Sequence, residues 1–141
     1  MTETERPPQA DPALRTLAMP ADANPNGDIF GGWVLSQMDI AGGVTAFDRA
    51  RGRVATVAVD AMTFHRPVYV GDVLCVYAEV VRIGRTSIAV QLEAWASRAR
   101  RAGATAGSRE ERREKVTEGL FTFVAIDDHG RPRPVPNKED S

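Results

Sequence analysis

From Asp28 to Ala50 apolar side chains recur every three or four residues. Trp33, Ile40, Val44 and Phe47 form one stripe with Gln37, and Val34, Met38 and Ala41 form a second. That period predicts a single long helix over 28–50. With two apolar stripes it should be buried on several sides. Beyond it the period changes to two. "VATVAVDAMTF" (54–64), rich in valine, and "IAVQLEAWA" (88–96) alternate, and with the apolar "VLCVYAEVVRI" (73–83) and "VTEGLFTFVAI" (116–126) they predict four strands. "ALRTLAMP" (13–20) reads as a shorter strand ending at Pro20. The connections carry turn chemistry: "ADANPNG" before the helix, "HRPVYVGD" with Pro67, "GRTS" as a hairpin and "DDHG" after the last strand. One helix followed by hairpin-linked strands is an α+β pattern with an antiparallel sheet. The apolar faces exceed what one helix can cover, so a second subunit is expected to complete the packing. No internal repeat is present.

The ends differ from the middle. "MTETERPPQADP" (1–12) is acidic and proline-rich, which predicts a disordered tail and not a signal peptide. "RPRPVPNKEDS" is too proline-rich for a sheet interior. The expected organisation is therefore a tail over 1–12, one domain over 13–127 and a C-terminal tail over 128–141. The 141 residues suit one domain, and a net charge of -1 gives no general reason to bind nucleic acid or an anionic membrane. No apolar run approaches the roughly 20 residues of a membrane span. The single cysteine, Cys75, lies mid-strand in apolar surroundings, where an inert buried thiol and a reducing cytoplasm are the expectation.

Several chemistries lack their motifs. There is no G-x-S-x-G, no phosphate-binding G-x-x-x-x-G-K and no G-x-G-x-x-G. The two histidines, His65 and His129, lie far apart without a cysteine nearby, which argues against zinc. Catalysis would have to use carboxylates, amides, hydroxyls and the backbone.

One stretch fits that requirement. In "NPNGDIFGGWVLSQMDIAGG" two glycines stand near the helix start and an acid stands two turns later. Gly31 and Gly32 can present amides without intrahelical partners, and such amides stabilise an oxyanion. Asp39 follows Gly32 by seven residues, so it lies on the same face roughly 10 Å along the axis. The layout suits an acyl carbonyl at the glycines with water or the acyl carbon near Asp39. Each residue also has a plainer reading. Asn24 sits in turn chemistry, the glycine pair can serve close helix–strand packing, and Asp39 can be a solvated position.

"PADANPNGDIFGGWVLSQMD" resembles the signature of hotdog-fold acyl-CoA thioesterases, in the YciA-like branch of the acyl-CoA hydrolase family. The matching residues are Pro20, Ala23-Asn24, Gly27, Gly31-Gly32 and Asp39. "VAVDAMTFHRPVYVGD", "GRTS" and "LFTFVAIDDHGRPRPVP" extend the likeness over about residues 14–136. The resemblance implies a hotdog fold, with a curved antiparallel sheet wrapped around the central helix and a sheet made continuous by dimerisation. It implies dimers with sites at the subunit interface, often assembled as homohexamers, and hydrolysis of fatty acyl-CoA to free acid and CoA. It implies no cofactor, coenzyme A being part of substrate and product. By the same likeness Asp39 activates water or attacks the thioester itself. Asn24 holds the water or the carbonyl, and the Gly31 and Gly32 amides polarise the thioester oxygen.

For the CoA phosphates the hairpin residues Arg85, Thr86 and Ser87 are candidates, because a turn there exposes amides, hydroxyls and a guanidinium together. An ordinary hairpin is the alternative. "SRARRAGATAGSREERREK" (97–115) is more arginine-rich than such a link is expected to be. Residues 98–115 hold seven basic and three acidic side chains, net +4. They read as a phosphate clamp or, more plainly, as a solvated loop. Phe30 and Trp33 flank the glycines and can line an acyl channel or pack in the core. Thr56 can face the cleft, though alternation does not say which face it takes. His65 reads as a loop residue. Two other functions compete with hydrolysis. A hotdog hydratase or dehydratase would place a histidine near the helix, and none occurs before Phe64. A non-catalytic acyl-CoA sensor would need no buried acid.

Overall fold

The computed structural model describes residues 6–60, 62–99 and 111–138. In chain order they form strand β1 (Leu14–Leu17), a 3-10 turn (Pro20–Asp22), helix α1 (Gly31–Ala50) and strands β2 (Val54–Asp60), β3 (Val73–Ile83), β4 (Ser87–Ala99) and β5 (Glu111–Ala125). The strands make one antiparallel sheet in the order β1-β3-β4-β5-β2, curved around α1. This is the expected α+β arrangement. Three expectations fall outside the described residues in part: the N-terminal tail at 1–5, the arginine-rich segment at 100–110 and the C-terminal tail at 139–141.

Four boundaries differ from the sequence reading. The helix begins at Gly31 and not at Asp28, because Asp28 and Ile29 are used in short β-bridges to Tyr69 and Ala23. Strand β2 ends at Asp60, short of Phe64. Beyond it the chain bonds elsewhere: the Thr117 hydroxyl donates to the Thr63 carbonyl and the His65 amide to the Val116 carbonyl. The flanks of the arginine-rich segment are strand and not loop, with Ser97 opposite Arg113 and Ala99 opposite Glu111. Charged residues are tolerated there because opposite charges pair, as Arg98 does with Glu114 and Lys115 with Glu118. Finally, the segment after β5 folds back onto the domain. The Arg133 amide donates to the Ala125 carbonyl, the Val135 amide to the Arg85 carbonyl, and the Arg49 guanidinium to the Pro136 carbonyl.

The core lies between one face of α1 and the concave face of the sheet. Val34, Met38, Ala41 and Ala46 meet Leu74, Val76, Val90, Leu92, Phe121 and Phe123. Each large side chain so buried contributes about 1.5–3 kcal/mol. Gly42 is buried here: a β-carbon on it would stand 2.8 Å from the Phe123 ring, so it serves close helix–sheet packing. Trp33 packs against the same core. The helix ends at Arg51, which takes the left-handed conformation (φ 57°), and the Gly52 amide donates to the Phe47 carbonyl.

The stripe of α1 that carries Ile40, Val44 and Phe47 stays open. Ile40, Val44 and Phe47 are about half exposed at 49%, 53% and 49%. Next to them, β2 is an edge strand with Val57 and Val59 exposed. The helix is therefore covered on one side within the chain, and the other apolar side has no cover among the described residues.

Candidate active site

The helix start supplies open backbone donors. Phe30 is the N-cap, with no side-chain cap and no acid in the first turn. Its carbonyl accepts the Trp33 amide at 3.0 Å and the Val34 amide at 3.4 Å. The Gly31 and Gly32 amides donate to no described group. A β-carbon on Gly32 would find nothing within 4 Å, so a ligand atom can approach that amide.

Two shallow cavities flank these glycines. One, of about 380 Å³, is lined by Gly32, Leu35, Ser36, Asp39, Thr56, Val59 and Phe121. Asp39 is half-buried in it, and the Thr56 hydroxyl donates to Asp39 Oδ1 at 2.6 Å. Thr56 pairs with Phe123, a core residue, so it faces the helix. That settles the face that alternation left open. The hydroxyl fixes one carboxylate oxygen and leaves the other able to accept a proton.

The second cavity, of about 340 Å³, is lined by Asn24, Asp28, Gly31, Phe64, His65, Arg66 and Val116, among others. Asn24 Oδ1 accepts the amides of Asn26 (2.9 Å) and Asp28 (3.2 Å). These two donors identify the oxygen, and its NH₂ group is left as a donor. The turn role and a site role for Asn24 are therefore compatible. The Phe64 ring lies against Gly31, 3.5 Å from where a β-carbon would be.

Within one chain Asn24 and Gly31 line one cavity, while Gly32, Asp39 and Thr56 line the other. Phe30 is half exposed and lines neither of these two cavities, while Phe64 lines the Asn24 cavity. Arg85 and Thr86 form the β3–β4 turn and Ser87 opens β4, the turn being closed by the Gly84 amide donating to the Ser87 carbonyl; the three line neither cavity. Phe64 and Arg66 are not among the residues the sequence singles out, and His65 reads there as a loop residue. The available signal was a bulky Phe-His-Arg run before Pro67, an unusual composition for a plain connection. Cys75 is buried, and no three potential metal ligands come together among the described residues.

Comparison with known proteins fits this layout. The Thioesterase superfamily profile matches residues 26–102. The acyl-CoA thioester hydrolase YciA of Salmonella typhimurium is 52% identical over 96% of this chain and 98% of its own. A hexameric thioesterase of Yersinia pestis is 48% identical with a TM-score of 0.82, over 94% of this chain and 100% of that one. A hexameric hotdog fold thioesterase of Campylobacter jejuni is 38% identical, again with a TM-score of 0.82, over 90% and 91% of the two chains. With open amides at a helix start, a hydroxyl-held carboxylate two turns on and this likeness over nearly its whole length, the chain belongs to the YciA-like hotdog-fold acyl-CoA thioesterases.

Proposed function

We infer that the protein hydrolyses acyl-CoA thioesters to a carboxylic acid and CoA. The observation that carries the residue roles is Asp39, held by Thr56 beside the open Gly32 amide. A thioester oxygen at the Gly31 and Gly32 amides gains charge as the carbonyl carbon is attacked, and the helix dipole favours that charge. As general base, Asp39 takes a proton from water while the water oxygen bonds to the carbonyl carbon. The carbon–sulfur bond then breaks, and the thiolate recovers a proton from Asp39. As nucleophile, Asp39 would instead bond to the carbonyl carbon and expel the CoA thiolate, giving a mixed anhydride that water opens to return the Asp39 carboxylate and the free acid. Asn24, with its NH₂ group unspent, holds the carbonyl or the water.

Asn24 and Asp39 lie in separate cavities, which supports a site completed by a second subunit. The open stripe of α1 and the unpaired edge of β2 suit that partner, with β2 joining β2 into a continuous sheet. The relatives' hexameric state supports a trimer of such dimers. The Arg85–Ser87 turn is assigned to the CoA phosphates, with the Arg85 side chain exposed. A lone buried cysteine favours a reducing cytoplasm.

The test is release of free CoA thiol from acyl-CoAs of graded length, by wild type and by Asp39→Ala. Turnover should fall by about 10²–10⁴-fold in the variant, the scale of a lost general base, while acyl-CoA binding persists. Undiminished turnover in Asp39→Ala would remove Asp39 from the chemistry.

A further inference from the structure

Arg98 lies in the arginine-rich segment that reads from sequence as a solvated loop. Its guanidinium is instead largely buried, with a side-chain exposure of 16%. Nε donates to Asp72 Oδ1 at 3.0 Å and one terminal nitrogen to Asp72 Oδ2 at 2.7 Å, a two-point fork. The other terminal nitrogen donates to Glu114 at 2.8 Å. The nitrogen on Asp72 Oδ2 also reaches the Pro67 carbonyl at 3.4 Å, and the guanidinium lies 5.0 Å from the centre of the Tyr69 ring. Asp72 is 4% exposed and accepts the Tyr69 amide as well. One cation thus ties together both ends of the segment 67–72.

That segment continues the wall of the Asn24 cavity. Phe64, His65, Arg66, Pro67 and Val68 line it, with the Phe64 ring against Gly31. The Ile29 amide donates to the Val68 carbonyl, which joins the wall to the segment leading into the helix. The contact of Arg98 with the Pro67 carbonyl reaches this wall, while its bonds to Asp72 and Glu114 go to residues that do not line the cavity.

We propose that Arg98 is a positioning residue for the thioesterase site: through Asp72, Pro67 and Tyr69 it holds residues 64–72 against Gly31 and so sets affinity for the acyl-CoA. This rests on the thioesterase reading. A guanidinium suits the task because its planar fork fixes a carboxylate in orientation as well as distance. Lysine keeps the charge but only one point of attachment. Removing the cation leaves Asp72 charged and buried with too few donors, and the loop moves to rehydrate it.

The experiment compares wild type, Arg98→Lys, Arg98→Met and the double variant Arg98→Met with Asp72→Asn. Two readouts are taken: KM and kcat for acyl-CoA, and calorimetric Kd for a thioether analogue that cannot be hydrolysed. Arg98→Met should raise KM and Kd by about tenfold or more, as displaced positioning groups do, with kcat within about twofold. Arg98→Lys should fall between. The double variant relieves the buried charge and so recovers thermal stability, but it keeps the raised Kd because Pro67 and Tyr69 stay unanchored. If Arg98→Met or the double variant folds and binds the analogue as wild type does, the proposal is overturned and Arg98 is structural only. Because Kd needs no turnover, a wild type that binds but does not hydrolyse would count against the thioesterase reading alone.

Discussion

Asp39 takes its orientation from one hydroxyl. The 2.6 Å hydrogen bond from Thr56 selects a carboxylate rotamer and occupies Oδ1. Replacing Thr56 by valine keeps the shape but removes the donor. The carboxylate then samples other rotamers, so kcat should fall about tenfold with KM nearly unchanged, and Thr56→Ser should restore most of it. Steady-state kinetics on the three proteins checks this; equal kcat for threonine and valine would show the bond to be incidental. The sequence exposes this pair unevenly. Asp39 is legible because its spacing from Gly32 is a property of the helix alone. Thr56 is legible only as a candidate, since its facing depends on the pairing with β5 and on the irregularity that follows between Thr56 and Ala58. Alternation carries Phe64 into a strand that in fact ends at Asp60, and the places of Phe64, His65 and Arg66 are set by hydrogen bonds to β5 that no local pattern encodes.

The glycines of α1 divide by what surrounds them. Gly42 faces Phe123 at 2.8 Å and Leu92 at 3.0 Å from a would-be β-carbon, both in the packed core. Alanine there gains about 1 kcal/mol of helix propensity. It also forces a buried ring and a leucine to shift, which costs about 1–3 kcal/mol. The second effect wins, so Gly42→Ala should lower stability in a denaturant titration. Gly32 has open space, so Gly32→Ala should leave stability equal or higher while reducing turnover, because its methyl group occupies the approach to the amide. A turnover equal to wild type in Gly32→Ala would move the thioester elsewhere. Sequence alone leaves Gly32 with two readings, packing or access, and it takes the sheet behind the helix to show that Gly42 serves packing while Gly32 stands open. Element ends follow the same logic. The type and order of α1 and of the strands are legible from their periods, and the bounds of β3 match at both ends. The helix start and the β4–β5 extension were not legible. The first depends on bridges to distant residues, and the second on cross-strand charge pairing that reads locally as a polar loop.

At the scale of the whole molecule, the half-exposed stripe of Ile40, Val44 and Phe47 and the free edge of β2 leave a single chain unfinished. The division of Asn24 and Asp39 between two cavities leaves its chemistry unfinished too. A symmetric dimer answers both if each site takes Asn24 from one protomer and Asp39 from the other. Such sharing has an arithmetic signature. Asn24→Ala and Asp39→Ala each disable both sites of their own homodimer. In a heterodimer of the two variants, one site collects both substitutions and the other collects neither. Random re-pairing of equal amounts makes half the dimers mixed, each with one intact site, so about one quarter of wild-type turnover should return. Co-refolding the two inactive variants and following CoA release measures it. Sites contained within one chain would return nothing on mixing, whatever the oligomer, so recovery assigns the two residues to opposite subunits and its absence returns them to the same one.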